Sequence, residues 1–464
     1  MGAPHIVIGG GLSGLAAAIR LARFGEPVVI IEQHNRLGGL NSYYTRNGRL
    51  YETGLHAISN FAPRKQRHAP LNKLLKQLQL SRDDLSICEQ LRSEIHFPGT
   101  EPLLFSNDFS LLRDTIDDVF PHALAGFDRL VQRLDHHDPF APAPFTATRE
   151  ILSSFLNDQQ LIEMLLCPLL FYGSSWQDDI DFNQFTILFR AIYQDGFFRP
   201  AGTIKDLLDL LTETLIERGA TIITGTGVEH LRVVDDRVES VILENGEELD
   251  CNIVISTIGS DETRRLAGKN IDKTDIVRLS FFESIFTVDS TGKTAVSKDA
   301  TCIFFCRQNR LRYRKPNTPV DLKSGVISLP DNFSGREAGT MRDVRITHLA
   351  NYQQWFDARA ASASSYDDLK AAYARKSARV AEAYVGSFFE AITYQDSFTP
   401  LTVQRYTGKI EGAVYGSPNK HTDGACGFAN MFLAGTDQGY LGIIGAMLSG
   451  VLMVNRHILP KLAK

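Results

Sequence analysis

The chain opens with His5-Ile6-Val7-Ile8-Gly9-Gly10-Gly11-Leu12-Ser13-Gly14 and, after a small-residue stretch stopped by Gly25, continues Pro27-Val28-Val29-Ile30-Ile31-Glu32. The apolar run before Gly9 predicts a buried strand, Leu12 to Phe24 a helix, and Pro27 to Ile31 a second strand. Continuous rather than alternating apolar strands, joined by short connections, imply a parallel sheet covered on both faces. Gly9, Gly11 and Gly14 stand at the spacing of a dinucleotide turn. The first permits the tight turn, the second a close backbone approach to a pyrophosphate, the third close packing of helix on strand. The helix N-terminus that follows, with Leu12 and Ser13 in its first turn, offers unpaired N–H groups to phosphate oxygens. Glu32 closes the second strand, where a carboxylate accepts hydrogen bonds from both ribose hydroxyls and favours an unphosphorylated 2′-OH.

Beyond this unit, the 464 residues are 43% hydrophobic and 22% charged, which excludes a disordered or fibrous chain. The 49 Lys+Arg against 54 Asp+Glu leave a net charge of −5, and without a basic surplus nucleic acid is not expected as a partner. Cys88, Cys167, Cys251, Cys302, Cys306 and Cys426 form no C-x-x-C pair. Neither a disulfide framework nor a zinc site is expected, and a reducing, cytoplasmic setting fits. His136-His137, between two aspartates, reads as a solvated loop, and no metal is assigned. Met1 to Ile19 lacks the basic start of a signal peptide. The uncharged, glycine-rich run Gln438 to Asn455 directly follows Asp437 and reads as a buried, ligand-facing helix rather than a membrane span.

Along the chain, Pro70 to about Pro200 reads as mostly helical, with amphipathic stretches at Leu71–Leu80 and Ile151–Leu170. A helix is expected over Ile204–Arg218. Strands are expected at Ala220–Thr224, Val228–Val234, Val238–Leu243 and Asp250–Ile258, with turns at Asp235-Asp236 and Asn245-Gly246. Strands at Phe281–Val288 and Thr301–Cys306 and a long helix over about Tyr366–Ala391 precede a last strand, Met431–Ala434. This order predicts an α/β fold whose nucleotide-binding part is discontinuous: residues 1–70, 203–272 and 397–464. Residues 71–202 and 273–396 are left to an α+β substrate domain, its first insertion mostly helical.

Glu32-Gln33-His34-Asn35-Arg36-Leu37-Gly38-Gly39 resembles the E-x-x-x-R-x-G-G extension of the FAD-dependent amine oxidase superfamily, which includes phytoene desaturases. The resemblance implies a Rossmann-like FAD-binding domain of the glutathione-reductase type and assigns cofactor contacts to Gln33, Arg36, Gly38, Gly39 and Leu40. Leu40 stands where this group often has a basic residue. Tyr51-Glu52-Thr53-Gly54-Leu55-His56 resembles a further family segment, Val228 matches the position whose backbone holds the adenine, and Ile255–Gly259 resembles the second nucleotide-domain crossover. Phe432–Asp437 followed by Leu441–Ala446 resembles the C-terminal flavin motif. There Gly435 and Asp437 would face the ribityl chain, and Gly442, Ile443, Ile444 and Ala446, opening the last helix, the pyrimidine edge of the flavin. No cysteine occupies the covalent position, so FAD is expected to be non-covalent.

Thr399–Thr402, Arg405–Gly408 and Gly412–Gly416 look most like the branch of phytoene desaturases, carotenoid isomerases and retinol saturases. That branch implies two-electron exchange at a C–C unit of a polyene or isoprenoid in a dry tunnel, with a flavin as hydride acceptor or donor and an unidentified electron acceptor. Leu165–Tyr172 and Phe281, Phe282 and Phe286 are candidate tunnel segments. His56 is the candidate proton or hydrogen-bond donor. Tyr440 is the candidate wall of an aromatic cage, with Tyr406 or Tyr415 as its partner. Arg307, Arg310, Arg312, Arg314 and Lys315 form either a solvated hairpin tip or a foot on anionic lipid, which would make the protein peripheral to a membrane. Amine oxidation and a non-enzymatic prenyl-lipid carrier remain as alternatives.

Overall fold

The computed structural model describes residues 2–54, 57–141, 143–270, 277–291, 296–297, 299–336 and 339–462. Its nucleotide-type sheet has five parallel strands in the order Thr221–Thr224, Val28–Glu32, His5–Ile8, Val254–Ser256 and Met431–Leu433. The first strand is central: Ile6 lies beside Val29 on one flank and Val254 on the other. The chain therefore leaves that strand in one direction and later returns to its other side. This reversal opens a crevice above the strands' C-terminal ends, where open α/β sheets bind ligands.

One face of the sheet carries Leu12–Ala22, which is buried along its whole length. It packs among Ile204–Glu217 and the last long helix, Gly442–Met453, in one apolar cluster. Close approach at the second contact requires Gly450, because a Cβ there would stand 2.1 Å from the Ser13 carbonyl oxygen. Gly14 does the same for helix on strand, with a Cβ only 2.1 Å from the Gly9 oxygen. Gly442–Leu462 is apolar and long enough to cross a bilayer, and half of its most apolar window is buried within the protein. The other face is covered by an antiparallel three-stranded meander over 228–250, whose Leu231, Val238, Val241 and Leu243 pack on Ile6, Ile8 and Ile31. Its hairpin turns at Asp235 and Asp236, both at positive φ (47° and 57°), the geometry a two-residue turn needs.

A second, seven-stranded sheet runs Ile392–Phe398, Ser280–Asp289, Met341–Ala350, Ser324–Ser328, Cys302–Cys306, Ser93–His96, Leu103–Phe105. Helices between 110 and 189 pack on one side around Phe127, Phe185 and Phe189. Tyr352–Ala361 and Ala363–Val385 pack on the other around Trp355, Ala374 and Ala378.

The segment from Pro70 to Pro200 is less helical than its composition suggests. Ile87–Glu89, Ser93–His96, Leu103–Phe105 and Phe197–Pro200 are strands. Ser93–His96 joins the sheet through Cys302–Cys306, two hundred residues on; such long-range pairing overrides local propensity. Ile151–Leu170 divides into Thr148–Phe155 and Gln159–Gly173 because Asp158 caps the second helix, accepting from the Leu161 amide at 2.9 Å. The expected strand over Asp250–Ile258 is confined to Val254–Ser256. His136, exposed, is the last residue of a helix, and His137, half-buried at the start of the following loop, caps it and bonds to Asn183 at 2.6 Å. All six cysteines are free.

Replacing Gly450 by Ala is expected to lower stability by about 1–3 kcal/mol, since the methyl meets backbone rather than a side chain that can move. A lowered thermal midpoint checks this.

Candidate functional site

At the C-terminal end of the first strand, Gly9 turns at φ 99° with its amide bonded to the Ile31 oxygen at 2.8 Å. Gly11 starts the first helix in an extended conformation; no side chain caps that helix and its first turn carries no acid. The amides of the first turn therefore keep their partial positive charge for a ligand. A second backbone run closes on this turn. The Gly38 amide donates to the Gly10 oxygen at 2.8 Å, Gly38 pairs with Gly11, and Gly38 and Gly39 both take positive φ (117° and 59°). A Cβ on Gly39 would meet the Gly11 Cα at 3.3 Å, while one on Gly11 would find nothing closer than 4.0 Å. The two glycine runs thus leave a slot with no side chain in it. Ser13 Oγ, in the first turn of that helix, is buried without a hydrogen-bond partner, 3.8 Å from where a Gly435 Cβ would stand.

Glu32 is 7% exposed. Its Oε2 accepts from the Gly10 amide at 2.8 Å and its Oε1 from the His34 amide at 2.9 Å. A carboxylate has about four acceptor sites, so two backbone bonds leave capacity for a ligand. Arg36, exposed, donates to the Tyr43 oxygen at 2.8 Å and lies over the Tyr43 ring.

These groups edge a cavity of about 970 Å³ that runs from Glu32, Arg36, Gly39 and Leu40, past Gly442, Ile443 and Ala446, to Phe171, Tyr172, Phe281, Val326, Val414 and Tyr415. Gly442–Met453 also starts without a side-chain cap, so a second set of open amides edges the same space. The mouth is polar. Tyr44 donates to Asp396 Oδ2 at 3.1 Å, and Lys370 donates to Oδ1 at 3.1 Å.

Among the lining residues the carboxylates are Glu32, Glu283 and Asp396. Glu283 is fixed from behind. Arg345 Nη1 stands 3.8 Å from it, and Arg345 Nη2 donates to the Glu52 carbonyl oxygen at 2.7 Å. The Glu52 carboxylate pairs with Arg199 and accepts from the Ile204 amide at 2.6 Å. Burial alone would raise the Glu52 carboxyl, but Arg199, Arg345 and the Ile204 amide together hold it below its ordinary range. Breaking such a buried pair costs about 3–5 kcal/mol. Glu52 belongs to a segment recognised in the sequence; Arg199, Arg345 and Glu283 were not, because each lies more than a hundred residues away.

Asp437 is 3% exposed and sits behind the wall, where Thr436 of the same turn reaches the cavity. Its two oxygens accept from the Ser260 and Ser417 amides at 2.6 and 2.8 Å, with Lys409 Nζ at 3.9 Å. Burial opposes its charge, yet Lys409, Lys420 and the two amides hold the carboxyl at about 2. Lys420 donates to the Tyr415 oxygen at 2.7 Å, and burial brings its ammonium down to about 8.

Gly259, at φ 121°, precedes the Ser260 helix, and a Cβ on it would strike Glu262. Val228 begins the meander opposite Leu243, and Gln33 is exposed; neither lines the cavity. Leu12 and Ile444 face the apolar cluster beneath. Tyr440 stacks on Phe140 at 6.0 Å rather than on Tyr406 or Tyr415; Tyr406 stands at the rim beside His34, and Tyr415 donates to the Phe171 oxygen. His56 lies outside the described residues. Of the basic cluster, Arg310 reaches Glu163, Arg314 pairs with Asp178 and Lys315 lies 3.8 Å from Glu411. Among the described residues no group of three metal-ligating side chains occurs.

The sequence profile of the flavin containing amine oxidoreductase family matches residues 12–456. The chain is 22% identical over 533 residues to all-trans-retinol 13,14-reductase of Danio rerio, covering 98% of this chain and 86% of that protein. To 4,4'-diaponeurosporene oxygenase of Staphylococcus aureus it is 24% identical over 309 residues, 62% of this chain and 61% of the relative. Similar solved structures include an oxidoreductase from Methanosarcina mazei (TM-score 0.67, 16% identity, 97% of this chain and 99% of that one). Putrescine oxidase bound to putrescine is another (TM-score 0.64, 13% identity, 100% and 99%).

Asp437→Asn is expected to destabilise the protein at neutral pH by about 2–4 kcal/mol, because it leaves Lys409 and Lys420 without their counter-charge. In the parent, a carboxyl lowered from 3.8 to about 2 adds stability that is complete above the unfolded value and is lost as pH falls toward the folded one. Unfolding followed from neutral pH down to acid should show that loss in the parent and not in the variant.

Proposed function

The chain belongs to the flavin containing amine oxidoreductase family; it is an FAD-dependent oxidoreductase, and from that premise we propose that it exchanges two electrons with a C–C unit of a hydrophobic polyene or isoprenoid, by desaturation, saturation or flavin-assisted isomerisation. The observation that carries this is one continuous cavity, with the glycine slot and Glu32 at one end and an aromatic wall at the other. The relatives named for a retinol reductase and a diaponeurosporene oxygenase support the substrate class.

The cleft fits FAD: the slot beside Gly11 is open, Ser13 Oγ is buried without a partner, and two uncapped helix N-termini face the space. Bound there, FAD supplies the two-electron chemistry at the substrate carbons. Glu32 would accept from the ribose hydroxyls, and the amides after Gly11 with Ser13, Arg36 and Gly39 would hold the pyrophosphate. The amides opening at Gly442 would stabilise negative charge at the pyrimidine edge. Asp437 would shape the turn by tying Ser260 to Ser417, leaving Thr436 to meet the cofactor. Phe171, Tyr172, Phe281, Val326 and Tyr415 would exclude water and align an extended apolar chain. Tyr440, stacked on Phe140, would brace the turn into Gly442, and His56 is proposed from its motif as a donor on the reacting face. We assign residues 1–70, 203–272 and 397–464 to cofactor binding and 71–202 and 273–396 to substrate.

The test is anaerobic incubation of the purified holoprotein with polyenes, isoprenoids and amines while flavin absorbance and product mass are followed. A spectral change with a polyene or isoprenoid supports the proposal, and bleaching by amines alone overturns it. Glu32→Ala is expected to weaken FAD binding about 10- to 100-fold, since hydrogen bonds to a charged group contribute about 1.5–3 kcal/mol. Flavin fluorescence titration of the apoprotein measures this.

A further inference from the structure

One face of the seven-stranded sheet forms a wall of the cavity. Phe281 and Glu283 of Ser280–Asp289, Val326 of Ser324–Ser328, Thr347 of Met341–Ala350 and Phe398 of Ile392–Phe398 all line it. Pairing sets Glu283 between Thr347 on one side and Phe398 on the other, with Val326 beyond Thr347. Side chains alternate along a strand. Phe282 therefore turns to the opposite face, where its ring stacks on Trp355 at 5.3 Å, and Glu283 is left on the chamber side. Gly442, Ile443 and Ala446, at the helix N-terminus assigned to the pyrimidine edge, line the same chamber.

Glu283 is 8% exposed, in a wall otherwise rich in Phe281, Val326 and Phe398. Placing a carboxylate there costs free energy, and an uncharged side chain of similar volume would pack at less cost. Arg345, backed by Glu52 and Arg199, answers the charge from 3.8 Å. That is beyond hydrogen-bond length, so Arg345 fixes the carboxylate without filling its lone pairs. The other acids of the wall are engaged elsewhere, Glu32 by two backbone amides and Asp396 by Tyr44 and Lys370. Tyr172 and Tyr415 also line the apolar end, but burial pushes both phenols up, away from releasing a proton.

We propose that Glu283 is the proton carrier of the chamber, working at the carbon beside the one that exchanges hydride. In desaturation one C–H bond gives its hydride to the flavin and the neighbouring C–H gives its proton to the Glu283 carboxylate. The electron pair left behind forms the double bond. In saturation the carboxylic acid returns that proton to one carbon while the reduced flavin supplies hydride to the other. The carbons served rest on the polyene reading; the loading of Glu283 does not. Reduction adds negative charge to the chamber that Glu283 lines, and a nearby like charge favours the neutral form of a carboxyl, so the carboxyl takes up its proton with the electrons.

The experiment follows the midpoint potential of the bound flavin against pH in the purified holoprotein, without substrate. Each proton taken up with the two electrons lowers that potential by about 30 mV per pH unit. Expected in the parent is a pH span in which two protons accompany the electrons, one of them lost in Glu283→Gln. Should Glu283→Gln not hold the flavin, Glu283→Asp decides: a displaced span supports the proposal and an unmoved one overturns it. A single proton at every pH in the parent, an unchanged slope in Glu283→Gln, or loss of the second proton in His56→Gln alone also overturns it. With a polyene that reduces or reoxidises the flavin, Glu283→Gln is expected to slow that step about 10²- to 10⁴-fold while polyene affinity changes less than about three-fold. If no polyene reacts with the parent, the polyene reading falls, and the potential still decides the role of Glu283.

Discussion

The site depends on backbone N–H groups that the fold leaves unsatisfied. Two helices begin without side-chain caps at the same cleft, one at Gly11 and one at Gly442, and a helix N-terminus facing space carries both open donors and partial positive charge. Such ends are tolerated only where a ligand or water completes them. The glycines follow from that need. Side chains at Gly11 and Gly39 would stand in the slot between the two runs, where the backbones already approach to about a methyl's width. The close crossing of the two helices at Gly450 then holds both ends in fixed relation.

Around this polar seam, charge is buried only where it is answered. Glu52, Arg199, Arg345 and Glu283 join the hairpin at Arg49–Glu52, the Phe197–Pro200 strand and the second sheet into one wall of the cavity. Asp437 with Lys409, Lys420 and two amides does the same for the opposite wall. Buried ion pairs give little net stability; here each one joins strands or turns drawn from distant parts of the chain, so what it supplies is position. The cavity can then be apolar at one end without unpaired charge facing it.

Much of the nucleotide half was legible, because its signals are local: an apolar run into Gly9, small residues through the first helix, Glu32 at the end of the next strand. The second sheet was not. Ser93–His96 and Leu103–Phe105 are too short to show a period, and they are strands only because Cys302–Cys306 lies beside them. Tyr440 shows the same limit. Its place before the last helix was readable, but its ring partner is Phe140, on a loop three hundred residues earlier.

By itself the sequence determined the family, the cofactor class and the positions where backbone must approach backbone, since glycine spacing and strand-ending acids act within a few residues of one another. Tertiary structure alone decided which residues face the chamber. It set Thr436 rather than Asp437 on the wall, put Glu283 in that lining with Arg345 behind it, and brought Phe145 against Trp176. The physical reason is that burial and charge pairing are settled between segments far apart in the chain, and no local pattern encodes such a meeting.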